Sequence, residues 1–127
     1  MAIKTVLGEN LQTKSLVEGK KGEVRSAYFE PREDMQPGEL LASALGACML
    51  TMVGFMASKR GENVAGTELL VTPHFDEKHS RVVKMALTFV FPSTLTDDQK
   101  KFYTRAAQTC PVHNSLREDI EYEVNVK

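Results

Sequence analysis

Hydrophobic and polar positions alternate in short stretches toward both ends of the chain and run together only once, in the middle. Strict alternation marks a half-buried strand, and a long apolar run bounded by helix punctuation marks a helix. Ile3 to Leu7 is a first predicted strand, closed by Gly8-Glu9-Asn10. Leu11 to Val17 is a second, followed by Gly19-Lys20-Lys21-Gly22, and Glu23 to Phe29 a third, ended by Pro31. Loops this short between strands favour antiparallel hairpins.

Charge then disappears. The 18 residues from Leu40 to Ala57 (LLASALGACMLTMVGFMA) carry no charged side chain. That length raises a transmembrane reading. Four Ala, two Gly, Ser43 and Thr51 make the run weakly hydrophobic for a bilayer, and no second span exists. A helix apolar all round is also the signature of a core helix buried on every side, which suits this run better. Pro37 before the run and Gly61 after Lys59-Arg60 are helix punctuation. Glu39 in the first turn and the two basic residues in the last complement the helix dipole.

Glu68 to Phe75 and Val82 to Phe91 read as the next two strands. Met85, Leu87, Phe89 and Phe91 share one face of the second; Lys84, Ala86, Thr88 and Val90 share the other. Thr96-Asp97-Asp98-Gln99 fits a capping box opening a helix toward Thr109. Cys110-Pro111 interrupts it, and Pro111 starts a further short helix running to about Asp119, with Cys110 at its N-cap. Ile120, Tyr122, Val124 and Val126 alternate with Glu121, Glu123, Asn125 and Lys127 in a final half-buried strand. The order βββ-α-ββ-α-α-β describes an α+β fold, with helices packed on antiparallel sheet. A central helix buried on all sides in so small a chain implies cover from a second subunit.

The chain's 127 residues suit a single domain spanning 1–127. With 16 basic against 17 acidic side chains, it has no basic field for gripping nucleic acid or anionic lipid, so neither is expected as a partner. The opening Met1-Ala2-Ile3-Lys4 has no apolar leader, which gives a cytoplasmic expectation. In a reducing compartment two cysteines far apart in sequence, Cys48 and Cys110, serve either as small buried hydrophobes or in redox and catalytic chemistry.

Cys110 occupies a position where the exposed N–H groups and positive dipole end of a helix favour thiolate. A free thiol is only about 3% ionised at pH 7, so such help matters. Cys48 lies deep inside the long helix, and its thiolate needs a cation or hydrogen-bond donors from elsewhere in the fold. Glu39 is nine positions away, roughly half a turn out of phase and about 13 Å along the axis, too far for direct contact. It reads as a solvent-facing first-turn carboxylate. Arg25 and Arg32 are candidate cations for the thiolate and, equally, ordinary surface charges. Cys110-x-x-His113 together with Cys48 falls short of the paired four-ligand pattern of a structural zinc site. His113, His74 and His79 read as surface residues. The sequence has no Gly-rich phosphate loop and no Gly-x-Ser-x-Gly.

Pro37-Gly38-Glu39-Leu40-Leu41-Ala42-Ser43-Ala44-Leu45-Gly46-Ala47-Cys48 resembles the first-cysteine motif of the OsmC/Ohr family, named for osmotically inducible protein C and organic hydroperoxide resistance. Cys110-Pro111-Val112-His113-Asn114-Ser115-Leu116 resembles its second-cysteine motif. The resemblance covers nearly the whole chain and implies an intertwined homodimer, with the central helices buried between subunits. It also implies a thiol peroxidase acting on organic hydroperoxides. Cys48 would attack the O–O bond and Cys110 would resolve the sulfenic acid as a disulfide. A dithiol reductant, lipoylated protein in some members, would regenerate both thiols, with no metal or organic cofactor. Peroxidases of the family carry Glu directly after the motif proline, where this chain has Gly38 followed by Glu39, and neither Arg25 nor Arg32 aligns with their activating arginine. The chain therefore resembles the divergent OsmC-like branch.

Two other readings stand beside that one. A dimer retaining the cysteines without the family's Glu and Arg would be a non-enzymatic binder of a small apolar molecule at the subunit interface. A thiol enzyme of another type, such as an acyl transferase, would use Cys110 with His113 as base, provided the imidazole reaches the sulfur.

Overall fold

The computed structural model describes all residues, 1–127. The chain divides into two compact units, Met1–Leu41 and Ala42–Lys127.

The first unit is an antiparallel meander of β1 (Ile3–Leu7), β2 (Gln12–Val17) and β3 (Glu23–Ala27). Opposed hydroxyls support the register: Thr5 and Ser15 hydrogen-bond at 2.8 Å, Thr13 and Ser26 at 2.5 Å. The β1–β2 turn closes through the Gln12 N–H donating to the Glu9 carbonyl, with Asn10 and Leu11 both at positive φ. That double left-handed turn matches the twist of a two-residue hairpin. The third strand stops two residues short of the expected Phe29, and Ser26, now buried, bridges in parallel to Met35.

Helix α1 (Pro37–Arg60) starts in the first unit and continues through the second. The second unit adds β4 (Glu68–Phe75), β5 (Val82–Val90), α2 (Asp97–Ala107), α3 (Pro111–Ser115) and β6 (Glu121–Val126). Period-two patterning is realised on β5, where Met85, Leu87 and Phe89 are buried, as is Phe91 just beyond it. Buried Leu45, Met49, Val53 and Ala57 recur along one stripe of α1, and Tyr103, Thr104 and Ala107 are the buried residues of α2. Full burial of one such large side chain contributes about 1.5–3 kcal/mol. Gly46 of α1 faces β4, where a Cβ would meet Val71 Cγ2 at 3.5 Å, an ordinary packing contact.

The element order and α+β class are as expected, with four differences in detail. First, β6 pairs with β5 in parallel, not antiparallel. The connection between them contains both α2 and α3, long enough for a crossover that a hairpin loop cannot make. Second, α1 is buried along one stripe only: just 28% of its most apolar 18-residue window is buried, and Phe55 is 51% exposed. By length and composition α1 also suffices to cross a membrane. Third, α3 ends at Ser115, well before Asp119, because the Leu116 backbone turns extended. Fourth, Val124 and Val126 of β6 are exposed in the single chain, although Ile120 is buried.

Candidate active site

Cys110 closes the gap between α2 and α3. Its backbone is extended, its carbonyl accepts the first intrahelical bond from the Asn114 N–H at 3.1 Å, and its sulfur accepts from the His113 N–H at 3.2 Å. The thiol thus acts as the N-cap side chain of α3, and Pro111 at the first helical position removes an N–H that would have had no partner.

Cys48 comes to the same place from the middle of α1. Both cysteines are free thiols; Cys110 is completely buried, and Cys48, beside the buried stripe, is half-buried. The two side chains are close enough that Cys48 perturbs the ionisation of Cys110. Residues 62 positions apart in sequence are therefore neighbours, as thiol–disulfide chemistry requires.

The ionisation of Cys110 runs against the simple N-cap expectation. Burial pushes its thiol up, the N–H groups of His113 and Val112 pull it down, and the Cys48 side chain pushes it up again. The net direction is upward because desolvation of the thiolate exceeds what one short helix end restores. Cys110 is the shielded sulfur of the pair, and Cys48 is the more accessible one.

His113 and Tyr122 complete the surroundings. The rings meet at 4.7 Å between centroids, tilted by 59°. The His113 Nδ1 and Tyr122 hydroxyl are both buried without a hydrogen-bond partner in the protein. His113 is therefore more enclosed than its surface reading implied. In the sequence Tyr122 is legible only as the second member of an alternating apolar face, and nothing local to it signals its contact with His113.

The remaining candidates have other places. Glu39 is exposed and accepts the Gln36 N–H at 2.8 Å, so it caps α1. Arg25 and Arg32 lie in the first unit, lining an open cavity of about 700 Å³ with Glu30, Glu33 and Asp34, and Arg32 faces Glu30 at 3.9 Å. His74 and His79 are exposed at the β4–β5 turn. No cluster of three His, Cys, Asp or Glu side chains is positioned to hold a metal ion.

Residues 30–125 match the OsmC-like protein family. The chain belongs to that family. Its fold is shared with a Psychrobacter arcticus protein, provisionally described as an osmotic stress induced and detoxification response protein, at 27% identity and TM-score 0.90, over 100% of this chain and 96% of that one. The OsmC-like protein of Mycoplasma pneumoniae superposes at TM-score 0.81 with 19% identity, over 99% and 93% of the two chains. An organic hydroperoxide resistance protein from Elizabethkingia anophelis does so at 0.74 with 17% identity, over 100% and 96%. No curated protein matches the sequence.

Proposed function

We propose that this chain is a cysteine-based thiol peroxidase that reduces organic hydroperoxides to alcohols in oxidative-stress defence. The observation that carries the reading is the pairing of a half-buried Cys48 with a fully buried Cys110, close enough for one thiol to perturb the other. Family membership and the hydroperoxide-resistance protein of the same fold support it.

In the first step the Cys48 thiolate attacks one peroxide oxygen. The S–O bond forms as the O–O bond breaks, and the alkoxide takes a proton and leaves as alcohol. Sulfur is oxidised by two electrons to sulfenic acid. In the second step Cys110 attacks the Cys48 sulfur, the S–S bond forms, and hydroxide leaves with the Cys110 proton as water. A dithiol reductant, such as a lipoylated protein, returns both cysteines to thiols by exchange. The apolar neighbours of Cys48 on α1 suit an alkyl hydroperoxide better than a small polar one.

The working unit is a homodimer in the cytoplasm. What supports a partner copy is the apolar surface the single chain leaves open: Phe55 on α1, and Ile3, Val6, Leu7 and Val24 on the β1–β3 sheet.

The test is intact mass with thiol counting on the reduced protein after one equivalent of cumene hydroperoxide. Loss of about two mass units and of both thiols is the expected result. Unchanged mass with two free thiols overturns the peroxidase reading and leaves the non-enzymatic, apolar-ligand dimer in its place.

A further inference from the structure

Helix α3 has little to hold it. It is five residues long, far below the length at which a helix is stable by itself. The Asn114 N–H donates to the Cys110 carbonyl at 3.1 Å, and the Leu116 N–H closes the other end on the His113 carbonyl at 3.3 Å. Two side chains add to this. Ser115 Oγ donates to the Pro111 carbonyl at 2.7 Å, and the Cys110 sulfur accepts the His113 N–H at 3.2 Å.

The closed helix also carries a cost. Its His113 ring meets Tyr122 of β6 at 4.7 Å between centroids, and the His113 Nδ1 and the Tyr122 hydroxyl are both buried with no partner in the protein. Such atoms are few in native proteins, and each calls for an explanation. Opening α3 would return the imidazole to water and restore the hydrogen bond it lacks. The helix is therefore poised, and a sulfur cap helps to keep it shut.

That cap is the atom that reacts. Both cysteines are free thiols here, and an S–S bond of about 2 Å is far shorter than the approach of two unbonded sulfurs. One sulfur has to move to form it. Cys48 lies in the middle of the 24-residue α1, beside the fully buried Leu45, Met49 and Val53, on a backbone that restricts its rotamers. Cys110 lies at the end of a helix of little more than one turn. The movement falls on the weaker element and draws the sulfur away from the His113 N–H.

We propose that α3 is a redox switch: the Cys110 thiol caps it closed, and the Cys48–Cys110 disulfide uncaps it, parts His113 from Tyr122 and uncovers the sulfurs to the dithiol reductant. The inference rests on the disulfide of the peroxidase reading. Cys110 gives up its proton and Cys48 its hydroxide as water when that bond forms. The reductant's two thiols become a disulfide and return two protons when it breaks. Access for the reductant thus opens only after oxidation, and the reduced protein presents a closed, completely buried Cys110.

Amide hydrogen exchange at Asn114 and Leu116, read by NMR, tests the switch, because exchange reports local opening. The samples are reduced wild type, wild type oxidised with diamide, and reduced Cys110→Ser and Cys110→Ala. Diamide makes disulfides without a hydroperoxide, and intact mass confirms the bond. Oxidised wild type and Cys110→Ala should exchange about five- to thirtyfold faster than reduced wild type, as loss of an N-cap requires. The nuclear Overhauser effect between the His113 and Tyr122 rings should vanish on oxidation. Serine keeps an acceptor, so Cys110→Ser should match reduced wild type. The Leu87 and Phe89 amides of β5 should not change. A disulfide-bonded protein with the protection and ring contact of the reduced one overturns the switch and leaves the peroxidase reading intact. So does a Cys110→Ala protein that exchanges as reduced wild type, because the sulfur then does not hold α3. Acceleration shared by the β5 amides is a general loosening and overturns it too. No disulfide with diamide overturns the redox pair and the switch together.

Discussion

The Tyr103 hydroxyl donates to Glu62 Oε1 at 2.6 Å, tying the middle of α2 to the second residue beyond the end of α1. Arg60 Nε reaches the same oxygen at 2.6 Å, and the Gln99 side-chain amide donates to the other. Three donors on one carboxylate hold it ionised: Tyr103 first, then Arg60 and Gln99, lower the Glu62 pKa to about 2. A carboxylate depressed in the folded state adds stability that is fully present above its unfolded pKa, near the ordinary 4.5, and lost as pH falls through about 2. Thermal midpoints recorded from pH 6 down to pH 2 should fall over that window. Glu62→Gln should lower the neutral-pH midpoint and flatten the acid limb. An acid limb of unchanged slope would remove Glu62 from the account.

Gln99 also serves the start of α2. Its side-chain oxygen accepts the Thr96 N–H at 2.7 Å, and its own N–H donates to Thr96 Oγ1 at 3.1 Å. Thr96→Ala removes the acceptor and leaves a helix N–H bare, which costs about 1 kcal/mol. Urea unfolding should show a lower midpoint with an unchanged slope. No shift in midpoint would mean that the capping contact contributes nothing measurable.

These two sites differ in how visible they are in the sequence, and the reason is range. Thr96-Asp97-Asp98-Gln99 is read directly because both capping bonds join residues three apart. Met85, Leu87, Phe89 and Phe91 likewise announce a buried face, because pleat period is a local property. The uncharged run of α1 and the Cys110-Pro111 junction are local in the same way. The Glu62 cluster joins residues 37 and 41 positions apart, and no spacing encodes it. Strand direction is also non-local: the alternation of β6 identifies a strand but not that it runs parallel to β5. The surroundings of Tyr122 are non-local too, since only the β5–β6–α3 arrangement sets its ring against His113. The Cys110 ionisation required weighing burial, a tertiary quantity, against a helix end that the sequence did reveal.

Phe55 tests the proposed dimer. It is half exposed on an otherwise apolar helix, with Lys59 Nζ 4.6 Å from its ring centroid. Aromatic residues of this kind are frequent anchors of interfaces. Phe55→Asp would place a carboxylate in the buried contact, and the dissociation constant measured by sedimentation should rise at least about tenfold. An unchanged association constant would exclude this helix face from the interface.

Cys110→Ser separates the two proposed thiol roles. Serine preserves the N-cap acceptor for the His113 N–H, so α3 should stay formed and the thermal midpoint should move little. Cys48 is more open to solvent than Cys110 and should still react with the first equivalent of hydroperoxide. With no second thiol to close the disulfide, the product should be a protein one oxygen heavier, trapped by dimedone as the Cys48 sulfenic acid. Further equivalents should carry it to the sulfinic and sulfonic acids instead of restoring a reducible disulfide. Turnover with a dithiol reductant should therefore slow and end in inactivation, whereas Cys48→Ser should show no hydroperoxide consumption from the start. The opposite pattern, with Cys48→Ser forming a sulfenic acid on Cys110, would exchange the roles of the two cysteines. That result would be hard to reconcile with the complete burial of Cys110 and with a thiol pushed up by desolvation.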